Sequence, residues 1–115
     1  MKVNFTPIED SGGPLTVKAL NDGSIQLANI YSSDPVLADG SLTVLKDPKG
    51  LFLASHVVPV VSTKINQEAA AVINKVSAAM DAKDLIEMNR QSTVEAQSAS
   101  AIASKWLESK GLPHK

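Results

Sequence analysis

The chain has 115 residues and a mass of 12.1 kDa, which is enough for one compact domain and too little for two. It carries 11 Lys and Arg against 12 Asp and Glu, so no uniform field attracts nucleic acid or an acidic membrane surface. The absence of cysteine excludes a disulfide framework, a thiolate zinc site and a cysteine nucleophile. Aromatic residues make up only 3% of the chain, so its core must be aliphatic.

The first half of the chain is typical of an α/β domain, because short β-type runs alternate with Gly and Pro breaks. A helix is predicted from Pro14, just after the Gly-rich turn at 11–13, and a single helical turn is predicted from Pro35. Together these elements predict an α/β fold with a short mixed sheet. The predicted strands span residues 3–8, 24–31, 42–46 and 56–65.

The second half changes to a helical spacing of apolar residues. Residues 69–80 follow the i, i+3, i+4, i+7 pattern of an amphipathic helix, and Asn66 is suited to cap it. Asp81 and Asp84 have the spacing of a capping arrangement at the start of a second helix. Ser98 is suited to cap a third. The mixed sheet is therefore expected to be followed by C-terminal helices.

Residues suited to catalysis are scarce. His56 and His114 are the two histidines, and they lie in unrelated segments, so a two-histidine metal site would require those segments to converge. Helix capping explains the pair Asp81 and Asp84. No serine stands in a Gly-x-Ser-x-Gly elbow. We therefore expect a protein that is not an enzyme and has neither a metal nor a cofactor.

Three further features have a structural and a functional interpretation. The backbone amides of the Gly-rich helix entry at 11–16 could cradle an anion, but this segment matches no phosphate-binding fingerprint, so a plain strand-to-helix turn is favoured. Tyr31 ends a predicted strand, where α/β folds present ligand contacts, and a half-buried core tyrosine is the alternative. Trp106 lies on the apolar stripe of the last helix and is predicted to be in the core.

Six segments, taken in chain order, carry a resemblance to one protein family. They are SGGPLTVKAL (11–20), YSSDP (31–35), LTVLKDPKGLF (42–52), VVPVV (57–61), DLIEMN (84–89) and ASKWL (103–107). Together they resemble the C-terminal part of the substrate-binding proteins of glycine betaine/choline/carnitine (osmoprotectant) ABC transporters. The similarity begins near Phe5 and covers nearly the whole chain.

This resemblance implies a fragment of a type II periplasmic-binding-protein fold, in which two α/β lobes joined by crossover strands enclose the ligand. The single domain 1–115 would then consist of an α/β segment with crossover strands (1–65) and C-terminal helices (66–115). The first lobe would be missing. The resemblance also implies an ABC permease as partner and an extracytoplasmic parent protein. The opening MKVNFTPIED contains no signal peptide, and no apolar run approaches the ~18 residues of a membrane span.

The resemblance also assigns ligand-binding residues. A quaternary ammonium has no N–H to donate, so members hold it against aromatic rings by cation–π attraction. Tyr31 corresponds to one such ring, with the hydroxyls of Ser32 and Ser33 beside it. Ser55 stands where the family's Phe-Pro-Pro-Tyr pattern has a tyrosine, which makes a polar or different cationic ligand an alternative. His56 either faces the cleft or has a structural role.

A second hypothesis is a self-associating structural or interaction domain that binds no ligand of its own. The helices that carry Val72, Val76, Ile102 and Trp106 would expose apolar surface without a first lobe, unless two copies pair. A homodimer is therefore expected under both hypotheses.

Overall fold

Helices are the only regular elements in residues 2–53 and 55–113, which are the residues that the computed structural model describes. A 3-10 helix, Pro35–Ala38, lies between the first two α-helices. Within these residues no helix has the length and apolarity needed to cross a membrane. The α-helices are α1 (Pro14–Asn21), α2 (Gln67–Ala79), α3 (Ala82–Thr93) and α4 (Ala99–Ser109).

The predicted α/β fold with a short mixed sheet is wrong. Across the described residues there is no strand, and the four runs that were predicted as strands are irregular segments. A strand satisfies its amides and carbonyls only through a neighbouring strand, and β-propensity depends on cross-strand packing. The β-branched composition of these runs was therefore not sufficient to form a sheet.

The predicted helix starts are confirmed, because capping depends on residues that are close in sequence. The Asn66 side chain accepts a hydrogen bond from the Ala69 amide at 2.8 Å at the start of α2. Asp81 and Asp84 form a reciprocal capping box at the start of α3. At the start of α4, the side chain of Ser98 accepts a hydrogen bond from a backbone amide. Each cap satisfies backbone N–H groups that have no partner within the helix.

The start of α1 is capped by Asp10, a residue that lies several positions earlier in the sequence. Its N-cap residue, Gly13, has no side chain, and the Asp10 carboxylate accepts hydrogen bonds from the amides of Leu15 at 2.8 Å and Thr16 at 3.0 Å. The Thr16 hydroxyl donates to the same carboxylate, so hydrogen bonding from Thr16 lowers the pKa of Asp10. The amides considered for anion binding are thus occupied by an internal carboxylate, which favours the plain turn.

Gly12 brings the turn before α1 against the segment that leads to Tyr31. It has a φ of +83°, and a Cβ at this position would lie 2.6 Å from the carbonyl oxygen of Asn29. Only glycine allows this close approach of two backbones in this conformation. The contact therefore helps to place Tyr31.

The packed core lies mainly at the C-terminal end of the chain. Ile102, Trp106 and Leu112 are buried, which confirms the prediction for Trp106. α3 packs against both α4 and the 3-10 helix. The Lys110 ammonium lies 2.9 Å from the Asp84 carboxylate and 5.7 Å from the centroid of the Trp106 ring, so it links the start of α3 to the end of α4.

The molecule exposes far more surface than a compact folded domain of its mass. Its accessible surface is 9480 Å², whereas about 6,000 Å² is typical of a folded chain of this size. Its radius of gyration is 17.8 Å, compared with an expected value of about 13 Å. Large apolar side chains in the irregular segments are exposed, including Phe5, Leu53 and Val60.

Candidate ligand cleft

The five residues that were predicted to bind ligand line one cleft of about 930 Å³. We call it the Tyr31 cleft. Its remaining walls are residues 57–59, one face of α2 and the start of α3. The structure thus brings together two chain segments that are separated by more than 20 residues. The five predicted residues are Tyr31, Ser32, Ser33, Ser55 and His56.

The loop that carries Tyr31 is held by hydrogen bonds at both ends. The Tyr31 carbonyl accepts from the Asp34 amide at 3.0 Å, and the Asp34 side chain caps the 3-10 helix by accepting from the Val36 amide. The Asn89 side chain, on α3, donates to the Ser33 carbonyl at 2.8 Å across 56 residues of sequence. Tyr31 is 66% exposed and lines the cleft, so the alternative of a half-buried core tyrosine is wrong.

The opposite wall of the Tyr31 cleft is largely apolar. Val57 and Val58 come from the irregular segment, and Val72, Ile73 and Val76 come from α2. Ser55 and His56 are both exposed at the edge of this wall. Methyl groups of a ligand can pack against these aliphatic side chains while a charged group faces Tyr31.

Asp81 is the one acidic residue among the described residues that line the Tyr31 cleft, and no Lys or Arg is among them. Sequence reasoning assigned Asp81 only to helix capping and did not identify it as a cleft residue. The spacing of the capping box could not show which way the start of α3 faces. The role of Asn89 in holding the Tyr31 loop was missed for the same reason, since its partner is remote in sequence.

Asp84, the partner of Asp81 in the capping box, has a different electrostatic environment. Burial raises the pKa of Asp84, but hydrogen bonds from the Lys110 ammonium and the Asp81 amide outweigh burial, so the pKa is lowered overall. The buried indole N–H of Trp106 also lowers the pKa of Asp84. It does so without forming a hydrogen bond of normal geometry within the described structure. Asp84 is therefore an ionised group that is neutralised locally by Lys110.

Tyr31 also lines a second cleft, of about 1,120 Å³. We call it the Phe5 cleft. Phe5, Phe52 and Tyr31 all line it, and Lys2 is the charged residue among its described lining residues. Sequence reasoning did not foresee that Tyr31 would line two clefts, because the path of the irregular segments was not predictable.

Part of the metal hypothesis falls outside the described residues, since His114 is not among them. Ala54, in the segment that replaces the family's Phe-Pro-Pro-Tyr pattern, is also outside them. In the described part of the chain, no group of three or more His, Asp or Glu residues is placed to hold a metal ion.

Comparison with known proteins identifies the family to which the chain belongs. Residues 3–109 match the family of the substrate binding domain of ABC-type glycine betaine transport systems, and the chain belongs to this family. The resemblance seen in the sequence is thus confirmed. Members of this family serve transport outside the cytoplasm by binding substrate, and they are not enzymes.

The chain is also similar to a curated relative, the glycine betaine-binding protein YehZ of Escherichia coli (strain K12). The two are 29% identical over 105 residues, a match that covers 89% of this chain and 34% of the relative. The chain therefore spans about a third of the length of this relative. No solved structure matches the chain.

Proposed function

We propose that the chain is the C-terminal portion of an ABC-importer substrate-binding protein that recognises a small osmolyte such as glycine betaine, choline or carnitine. The observation that carries this proposal is the convergence of the five predicted residues on the Tyr31 cleft. Membership of the glycine betaine-binding family supports it, and so does the one-third coverage of the relative.

The chemistry of the Tyr31 cleft suits such a ligand. The exposed ring of Tyr31 attracts a quaternary ammonium through its negative face, a contact that contributes about 0.5–2 kcal/mol. The aliphatic wall packs against the ligand's methyl groups, and the hydroxyls of Ser32, Ser33 and Ser55 can bond its polar end. One ring alone gives weak binding, so the complete site requires a second wall.

In the parent protein, the second wall would come from the lobe that this chain lacks. Closure of the two lobes around the osmolyte would form the surface that an ABC permease reads, outside the cytoplasm. Binding and closure would involve no covalent step, no cofactor and no nucleic acid.

The test is a titration of the ¹⁵N-labelled chain with choline, glycine betaine and carnitine, followed by NMR. We expect saturable shifts at the amides of Tyr31, Ser55 and His56, with Kd in the millimolar range. Tyr31→Phe should keep binding, because it keeps the ring, and Tyr31→Ala should lose it. Phe52→Ala is the matched control, since Phe52 lines only the Phe5 cleft. Absence of saturable shifts, or shifts confined to the Phe5 cleft, would contradict the proposal.

A second candidate function is self-association, and the excess of exposed apolar surface favours it. A surface of 9480 Å² with exposed Phe5, Leu53 and Val60 is typical of a chain that lacks a partner. Size-exclusion chromatography with light scattering should show a dimer that dissociates on dilution. A monomer at every concentration, with no ligand bound, would rule this function out.

A further inference from the structure

We infer that Asp81 makes the Tyr31 cleft selective for small organic cations that carry no carboxylate, such as choline, over zwitterions such as glycine betaine. The inference rests on the proposed function and concerns the substrate class of the same cleft. It is drawn from the position of one uncompensated charge in the wall.

The capping box fixes the orientation of the Asp81 side chain. Its Oδ1 accepts from the Asp84 amide at 2.9 Å, while its own amide donates to Asp84 Oδ2 at 3.0 Å. Within the described residues, no hydrogen-bond donor contacts Oδ2 of Asp81. One oxygen is therefore held by the helix start, while the other has no protein donor and remains able to accept from a ligand.

The charge of Asp81 is not neutralised by the protein residues around it. Asp84 has the Lys110 ammonium at 2.9 Å, whereas no ion pair involves Asp81 in the described structure. The start of α3 offsets only about half a unit of its negative charge. A net negative potential therefore remains at this end of the Tyr31 cleft.

This potential acts differently on the two ligand types. A cation such as choline is attracted by both the Tyr31 ring and the Asp81 carboxylate. The carboxylate of glycine betaine, in contrast, is repelled by Asp81 and finds no Lys or Arg among the described residues of the cleft. The difference should appear as a preference for choline of about fivefold or more at low salt, decreasing as salt screens the charges.

The experiment compares the NMR-derived affinities of the full chain for choline and glycine betaine at pH 8, where histidine is ordinarily neutral. Asp81→Asn removes the charge and keeps a residue that caps helices as well as aspartate does. It should weaken choline binding about fivefold and leave glycine betaine binding unchanged or stronger. Asp39→Asn is the control, because Asp39 is an exposed carboxylate that does not line the cleft.

The outcomes separate this inference from the proposed function. Equal affinities, a preference for glycine betaine, or a preference that survives in Asp81→Asn would overturn the inference and leave the proposed function standing. Binding of neither ligand would overturn both. If Asp81→Asn loses helix content by circular dichroism, Asp81→Ser provides a second uncharged cap, and the same outcomes apply to it.

Discussion

The two halves of the molecule differ in how much regular structure they form. Residues 67–113 form three capped helices, two of which pack together, and they contain the buried Ile102 and Trp106. Residues 2–66 contain one α-helix and one 3-10 helix, and their other apolar segments remain irregular and exposed. A helix satisfies its backbone within its own segment, whereas a strand needs a partner from elsewhere. In the described residues the helices therefore form, whereas the β-type runs remain without a pairing partner.

Trp106→Ala should have the largest effect on stability, because it removes the main side chain of the small core. We expect a loss of about 3 kcal/mol in the free energy of unfolding, measured by urea denaturation with circular dichroism at 222 nm. Val60→Ala is the matched apolar truncation in the irregular half, where Val60 is 92% exposed. It should change stability by less than about 0.5 kcal/mol. Similar losses of unfolding free energy for the two variants would contradict the conclusion that the two halves differ in packing.

Gly12→Ala should have the next largest effect, and it tests the contact that ties the first half together. Gly12 and Gly23 have similar positive φ values of +83° and +77°, but nothing lies within 4 Å of a Cβ at Gly23. Gly23→Ala should cost about 1 kcal/mol from backbone conformation alone. Gly12→Ala should cost clearly more, because its Cβ would collide with the Asn29 carbonyl. Equal thermal shifts for both variants would show that this close approach contributes nothing.

Asn89→Ala should loosen the link between the two halves. It removes the hydrogen bond to the Ser33 carbonyl, for a loss of about 1 kcal/mol. Hydrogen exchange of the Asp34 amide, which donates to the Tyr31 carbonyl, should accelerate about fivefold. Ser92→Ala, at an exposed position on the same helix, is the control. An unchanged exchange rate in Asn89→Ala would mean that the Tyr31 loop is held without α3.

Acidification should have the smallest effect, and it should act on α3. Hydrogen bonding and ion pairing with Arg90 lower the pKa of Glu87 from 4.5 to about 2. The stabilising contribution of this carboxylate is therefore complete above pH 4.5 and is lost as the pH falls toward 2. Thermal melts across this range should show less pH dependence in Glu87→Gln than in the wild type. Glu108→Gln, which removes an exposed carboxylate of α4, is the control.

The candidate site was predictable in its residues and not in its shape. The family resemblance assigned Tyr31, Ser55 and His56 to ligand binding, and the structure places all three in one cleft. The sequence could not show that the start of α3 completes the same cleft, because Asp81 has an adequate explanation as a cap. Whether these residues bind an osmolyte stays a prediction until the titrations are done.

By itself, the sequence determined the helices, the caps of α2, α3 and α4, and the family. Capping and helical hydrogen bonds join residues a few positions apart, so local spacing specifies them. Only the tertiary structure decided that the β-type runs remain unpaired, that Asn89 reaches Ser33 and that Asp81 lines the Tyr31 cleft. Each of these depends on groups that are distant along the chain, and their meeting depends on packing that no local pattern encodes.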